Sequence, residues 1–162
     1  MSKQSDMLSA LSSLDAEGMS IEELERFNES VTGFTKTLGM RFTKITPEVV
    51  AAELHVSGAH LQPAGIVNGG VYSSLAETAG SILGLTRANG DLVVGVNCNA
   101  DFIATVSAGV IDLEARFVHA GRSSQLIEVH LHHRGKLVSR AMLRTMVLQK
   151  PAEPPKKDKF AE

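Results

Sequence analysis

Several features that would place a protein in a familiar class are missing from this sequence. It has one cysteine, Cys98, so no disulfide can form within the chain. Residues 1–18 lack the basic segment and apolar run of a secretory signal. No apolar run approaches the roughly 18 residues needed to cross a bilayer. These absences predict a protein of the reducing cytoplasm with no membrane partner.

A charge imbalance and the common nucleotide-binding motifs are also missing. The chain has 16 Lys and Arg against 18 Asp and Glu, for a net charge of -2. Nucleic-acid binding favours strongly basic proteins, so no nucleic-acid partner is expected. The sequence contains no G-x-S-x-G, G-x-x-x-x-G-K-[ST] or G-x-G-x-x-G motif. This weighs against serine hydrolases, P-loop enzymes and dinucleotide-binding enzymes, and no cofactor is predicted.

The residues that are present predict one α+β domain. A hydrophobic fraction of 43% and a charged fraction of 21% over 162 residues suit a single core. Apolar spacing predicts helices within residues 7–34, interrupted near Gly18, and a long helix over residues 69–88. Extended segments are predicted for the hairpin 38–56, with its turn at 46–48, and for residues 92–106, 109–119, 123–134 and 136–148. Short connections between these strands favour antiparallel pairing.

The long helix carries an isolated carboxylate. Its apolar side is predicted to hold Val71, Leu75, Ala79, Ile82 and Thr86, and its polar side Ser73, Glu77 and Ser81. A solvated helix face usually gives Glu a Lys or Arg partner, and none is near. A pocket around Glu77 is therefore predicted, although an ordinary exposed glutamate also fits the spacing.

The start of this helix could bind an oxyanion. Asn68 is the predicted N-cap, and the first-turn N–H groups of a helix have no intrahelical acceptor. Glycine at position 69 would let a carbonyl oxygen approach its N–H closely, aided by the helix dipole. A tight helix entry made by Gly69-Gly70 fits the same residues.

Other candidate ligands give weaker signals. His130, His132 and His133 fall in one predicted strand, but no acidic residue lies at a matching short spacing, so no metal site is predicted. Cys98 has no histidine near it in sequence and is predicted to be a buried, inert thiol.

The segment from residue 60 to 81 resembles the hotdog-fold acyl-CoA thioesterases. It resembles in particular the branch of 4-hydroxybenzoyl-CoA and 1,4-dihydroxy-2-naphthoyl-CoA thioesterases, including the phenylacetate-pathway type. The family pattern Q-x-x-G-[LI]-[LV]-H-G-G, then L-A-E and a Ser or Thr four residues later, is similar to QPAGIVNGG at 62–70, LAE at 75–77 and Ser81. Residues 93–109 and 117–143 also resemble the family's later strands.

The resemblance implies a curled antiparallel sheet around one central helix, with boundaries that the ends of the similarity suggest. It implies a thioesterase domain over residues 38–149, an N-terminal helical extension over 1–37 and a tail over 150–162. The tail is rich in proline and charge and is predicted to be disordered.

The resemblance also implies roles for individual residues. Glu77 would attack the thioester or activate water, and the Gly69 N–H would receive the oxyanion. Gln62 would position the reacting groups and Ser81 would support Glu77 or the water. The substrate would be an acyl-CoA, and the site would lie at an interface of a homodimer or homotetramer.

Two departures from the family affect these expectations. Asn68 stands where the family has His and cannot titrate near neutral pH. Residues 103–107 lack the Arg that some relatives use for the nucleotide end of CoA. Hydrogen-bond donors at a predicted turn could hold CoA instead, or form an ordinary polar hairpin. The residues predicted to bind substrate or CoA are Gly70, His119, Gly121, Arg122, Ser123 and Ser124.

Two other functions remain open from the sequence. A non-catalytic acyl-CoA-binding protein would have the same fold but no need of Glu77. A hotdog dehydratase or hydratase would use a His with an acid, for which His60 or His119 could stand in for the missing His at position 68.

Overall fold

The computed structural model describes residues 9–148. The first elements are a helical turn over residues 9–12 and two short helices, α1 (Ile21–Ser30) and α2 (Gly33–Leu38). The predicted interruption falls at Gly18, whose φ of 80° is in the left-handed region that glycine tolerates. Ser20 and Glu23 form a capping box at the start of α1.

A six-stranded antiparallel sheet follows, with the strand order β1-β2-β4-β5-β6-β3. The strands are β1 (Met40–Ile45), β2 (Val49–Val56), β3 (Leu92–Phe102), β4 (Gly109–Ala120), β5 (Ser124–His133) and β6 (Lys136–Leu148). Every predicted extended segment is present. The largest error is at the segment 92–106, because β3 ends at Phe102 and residues 103–106 leave the sheet.

The central helix α3 (Gly69–Thr86) packs against the sheet and ends two residues before the predicted stop. Its buried side is rotated from the predicted one. Val71 and Ile82 are only half-buried, and the buried residues are Tyr72, Leu75, Ala76, Ala79, Gly80, Leu83, Gly84 and Thr86. Where a helix comes closest to a sheet, small residues fit best, and Gly80 accordingly lies against Leu143. A prediction of the buried side from the large apolar residues alone therefore places it wrongly.

One edge strand of the sheet, β1, is covered by helix α1, and the other, β3, is exposed. At β1, the Asn28 side chain of α1 donates to the Phe42 carbonyl and accepts from its N–H, at 2.9 and 2.8 Å. The rings of Phe27 and Phe42 also meet edge to face. At β3 no residue is buried, and its exposed apolar side chains include Leu92, Val94, Val96 and Phe102. Open apolar edges tend to pair with another strand.

The fold agrees with the expected α+β arrangement of one sheet around one helix. Within residues 9–148, no helix is long and apolar enough to cross a membrane. The predicted tail at 150–162 lies outside the described residues, as do residues 1–8 and 149.

Candidate active site

The start of α3 leaves one particular N–H available. Asn68 is the N-cap, as predicted, and its side-chain oxygen accepts from the Gly70 N–H at 2.8 Å. The Val71 N–H donates to the Asn68 carbonyl. Among the described residues no acceptor is opposite the Gly69 N–H. This group therefore keeps both its donor capacity and its place at the positive end of the helix dipole.

A cavity of about 390 Å³ opens beside Gly69. It is lined by the loop residues Gln62, Ile66 and Val67, by Gly69 and Tyr72 of α3, and by residues 102–105. The Phe102 ring lies directly on Gly69, because a Cβ built there would be 2.4 Å from Phe102 Cε2. A side chain at position 69 would therefore displace the Phe102 ring, and glycine also leaves the N–H accessible.

The loop that carries Gln62 is fixed by its own hydrogen bonds. The Gln62 N–H donates to Ile66 and the Gln62 carbonyl accepts from Gly65, both at 2.8 Å. The buried His60 holds the loop from the other side. Its Nδ1 accepts from the Ser57 N–H, its Nε2 lies 3.0 Å from the Leu38 carbonyl oxygen, and its carbonyl accepts from Asn68. Gln62 and Gly69 are therefore held on one wall of one cavity.

Glu77 lies elsewhere on the same helix. Its Oε1 accepts from the Ser81 hydroxyl at 3.1 Å, so the predicted Glu77–Ser81 pair is present. The side chain is exposed and faces strand β3, where a Cβ built at Gly95 would be 3.1 Å from Glu77 Oε1. Glu77 does not line the Gly69 cavity. Its side chain is exposed, so one copy of the chain does not enclose the pocket that was predicted around it.

The carboxylate also affects the single cysteine. Cys98 is half-buried, less than predicted, and burial raises the pKa of its thiol, with a further contribution from the negative charge of Glu77. Both effects disfavour the thiolate. Because Glu77 faces β3 near Gly95, removing its charge should change the Cys98 pKa.

We expect Glu77→Gln to lower the Cys98 pKa, because only the charge repulsion is removed and the burial remains. The measurement is the thiolate ultraviolet absorbance against pH, with Cys98→Ser as the baseline. The exposed Glu29 of α1 has no ion pair among the described residues, and Glu29→Gln is the matched control. An unchanged Cys98 titration in Glu77→Gln would contradict the placement of the carboxylate.

Of the residues predicted to bind substrate or CoA, Gly70 is in the first turn of α3, where its N–H donates to Asn68, and the others lie at the β4–β5 turn. The turn is closed by the Gly121 N–H donating to the Ser124 carbonyl at 3.0 Å and by the Val147 N–H donating to Ser123. Arg122 and His119 are exposed. The neighbouring residue Gln125 is in register with Thr145 of β6, which is in register with Gly95. The turn therefore lies at the same end of the sheet as Glu77.

The predicted residues thus form two groups on one chain. Gln62, Asn68 and Gly69 lie at the start of α3, beside the Phe102 end of β3. Glu77 lies against Gly95 and pairs with Ser81, and the 119–124 turn is at the same end of the sheet. Eight residues of helix separate Gly69 from Glu77, which is roughly 12 Å along the axis.

Three residues of these two groups were missed by the sequence reasoning. Gly95 carried a usable signal, since a glycine inside a strand often marks a close approach by another group. Tyr72 and Phe102, whose ring centroids are 5.9 Å apart, gave none, because an aromatic residue in an apolar pattern cannot be told from core.

The histidine strand shows no metal-binding geometry. His130 and His132 share a face with ring centroids 6.2 Å apart, and His130 Nε2 is 3.3 Å from a Glu128 carboxylate oxygen. In the part of the chain that the structure describes, no group of three or more His, Cys, Asp or Glu could hold a metal ion.

Comparison with known proteins decides the family. A family model described as the thioesterase superfamily matches residues 64–139, which include the start of α3 and Glu77. The proofreading thioesterase EntH of Klebsiella pneumoniae is 36% identical over 113 residues, covering 68% of this chain and 82% of that protein. The chain belongs to the thioesterase superfamily.

Solved structures of similar proteins agree with this membership. The thioesterase HI1161 of Haemophilus influenzae superposes with a TM-score of 0.75 at 26% identity, covering 86% of this chain and 98% of that one. A Mycobacterium tuberculosis protein gives a TM-score of 0.72 at 34% identity, covering 74% of this chain and 98% of that one. This superfamily member therefore has the hotdog-like fold that the sequence resemblance implied.

Proposed function

We propose that this thioesterase-superfamily protein hydrolyses an acyl-CoA thioester to the free acid and CoA. The observation that carries the proposal is the Glu77 carboxylate, which is oriented by Ser81 and has no ion pair with any residue in 9–148. Glu77 either attacks the thioester carbonyl or removes a proton from the attacking water. The free Gly69 N–H stabilises the oxyanion, and Gln62 positions the thioester between them.

The two groups of residues require a second copy of the chain. α3 runs along β3 in the opposite direction, with Gly69 against Phe102 and Glu77 against Gly95. Antiparallel pairing of β3 with its copy about the strand centre would reverse this order. The Glu77 of one protomer would then face the Gly69 end of the other. The open β3 edge thus supports the proposal of a homodimer with two shared sites, which the family resemblance also implied.

We expect the protein to be a dimer or tetramer at micromolar concentration in light scattering or ultracentrifugation. Val96 is 49% exposed at the centre of β3, and Val96→Lys should weaken the assembly because a lysine opposes edge pairing. The exposed Val118 of β4, which is away from this edge, gives the control Val118→Lys. A wild-type monomer would contradict the shared site.

The two alternative functions are supported less well. A hydratase needs a histidine with an acid, but both ring nitrogens of His60 are engaged in holding the loop, and His119 is on the exposed β4–β5 turn. A non-catalytic binder needs no oriented carboxylate opposite an unpaired N–H. The relatives named above as thioesterases also favour catalysis.

A panel of acyl-CoA compounds tests which acyl group the protein hydrolyses. We propose the aromatic acyl-CoA class of the branch named above, with the β4–β5 turn binding CoA through Gly121, Arg122, Ser123 and Ser124. Release of free thiol should be measured with aryl, branched and straight-chain acyl-CoA compounds. Hydrolysis of at least one supports the function; binding of all without thiol release would support the non-catalytic alternative.

A further inference from the structure

His60 is a buried histidine that takes no direct part in the proposed reaction. It ends the short 3₁₀ helix Gly58–His60, just before the loop that carries Gln62. Its side chain is 8% exposed, and it is the only buried histidine in residues 9–148. A buried imidazole needs a hydrogen-bond partner for each ring nitrogen, and the two partners here lie in different segments of the chain.

The partners of the His60 ring fix its protonation state. Nδ1 accepts from the Ser57 N–H at 3.0 Å, and the Ser57 hydroxyl oxygen lies 3.4 Å from the same nitrogen. Nε2 lies 3.0 Å from the Leu38 carbonyl oxygen, which can only accept. A neutral imidazole has one donor and one acceptor nitrogen, so Nε2 carries the proton. The ring therefore joins the 3₁₀ helix to the residue at the end of α2.

The Leu38 carbonyl is a group that α2 leaves without an internal partner. Carbonyls in the last turn of a helix have no intrahelical donor, and the His60 Nε2–H supplies one to the last residue of α2. Leu38 is 5% exposed, so little water can reach it. The superfamily match begins at residue 64. The ring thus connects the N-terminal helices, which precede the matched residues, to the loop that enters them.

The main chain of His60 closes the base of this loop. Its carbonyl accepts from the Asn68 N–H at 2.9 Å. Two more main-chain pairs lie inside this one, Leu61 with Val67 and Gln62 with Ile66. The base of the loop is therefore two residues from Gln62 on one side and one residue from the Gly69 N–H on the other. A movement of His60 would displace both walls of the cavity.

We propose that His60 is a positioning residue for thioester hydrolysis, which docks the loop carrying Gln62 and the start of α3 onto the end of α2 through its Nε2–H. This rests on the proposed function, because it assigns the oxyanion to the Gly69 N–H. Without this hydrogen bond the 3₁₀ helix loses its polar link to α2, and the base of the loop shifts. A displacement of about 1 Å at a reacting centre can lower the rate by about a hundredfold.

Two substitutions test the two ring nitrogens separately. In His60→Gln the amide nitrogen can replace Nε2 and donate to Leu38, whereas in His60→Asn the amide oxygen can replace Nδ1 and accept from Ser57. His60→Asn should lower kcat by at least about tenfold and change KM by less than about threefold. His60→Gln should keep kcat within about threefold of wild type. Wild-type kcat in His60→Asn, or a loss in His60→Gln at least as large, would overturn the inference.

Asn28→Leu is the control for a loss of stability alone. Asn28 also makes two hydrogen bonds to a distant main chain, that of Phe42 at the β1 edge, and it does not line the cavity. Asn28→Leu should lower the melting temperature, as His60→Asn does, but should leave kcat at the wild-type value. If the two variants melt at similar temperatures and lose kcat equally, the assignment of a positioning role to His60 is wrong.

NMR tests the placement of the loop without a substrate. The ¹⁵N resonances of the His60 ring, assigned by their absence in His60→Gln, should show a protonated Nε2 and an unprotonated Nδ1. The backbone amide resonances of Gln62 and Gly69 should shift in His60→Asn and remain near their wild-type positions in Asn28→Leu. Unshifted amides in His60→Asn would overturn the inference in an active thioesterase. Shifted amides in a protein that hydrolyses no acyl-CoA would instead overturn the proposed function.

Discussion

Glu77→Gln should lower kcat for the best acyl-CoA substrate by at least about a hundredfold, the lower end of the effect of a positioned acid or base. Glutamine keeps the size of the side chain and an oxygen that the Ser81 hydroxyl can still donate to. It can neither take a proton at neutral pH nor attack a thioester effectively. The change therefore removes the chemistry and leaves packing nearly intact.

The fold and the binding step provide the internal checks on this variant. Glu77 is exposed, so the melting temperature should stay within the range of other surface substitutions, and Glu29→Gln should have wild-type kinetics. Binding of the acyl-CoA to Glu77→Gln should be close to wild type. Hydrolysis within threefold of wild type would show that Glu77 is not the catalytic group, and the non-catalytic binding function would then become the better explanation.

The second large effect is the recovery of activity by mixing two inactive variants. Gly69→Ala places a methyl group 2.4 Å from Phe102 Cε2. The ring is 56% exposed, so it can swing aside without unfolding the protein. The displaced Phe102 ring would change the shape of the cavity that it lines. A displacement of about 1 Å at a reacting centre can lower the rate by about a hundredfold. Gly69→Ala alone should therefore be nearly as inactive as Glu77→Gln alone.

Co-expression of Glu77→Gln with Gly69→Ala should restore about a quarter of wild-type activity per site. Half of the dimers are then hybrids, and each hybrid has one site with both substitutions and one site with neither. The restoration requires Glu77 and Gly69 to come from different protomers. If both residues of a site belonged to one chain, every site would carry one substitution and the mixture would stay inactive.

A third mixture separates assembly from site sharing. Wild type co-expressed with the Glu77→Gln/Gly69→Ala double variant should retain about a quarter of full activity, since both sites of each hybrid are then impaired. Sites contained within one protomer would retain about half. If the two variants carry different affinity tags, tandem purification isolates the hybrid dimer. Its activity can then be measured without a contribution from the two homodimers.

Sequence patterns predicted the order of elements well because each depends on local spacing. The cap at Asn68 and the turn at 46–48 follow from the conformations that these residue types favour. The pairing of Glu77 with Ser81 follows from their separation of one helical turn. The prediction was less accurate where tertiary contacts decide, as at the end of β3 and on the buried side of α3, where Gly80 and Gly84 rather than larger apolar residues make the closest approach.

The sequence by itself determined which residues could do chemistry: a carboxylate on the central helix, a glycine at its start and a glutamine on the loop before it. Only the tertiary structure showed that Gly69 lies against Phe102 whereas Glu77 lies against Gly95, that the Asn68 side chain accepts from the Gly70 N–H and not from that of Gly69, and that the Tyr72 hydroxyl is buried without a hydrogen-bond partner. The physical reason is that helical spacing fixes neighbours within one turn, whereas the approach of Phe102 to Gly69 and of Gly95 to Glu77 depends on how a distant strand crosses the helix.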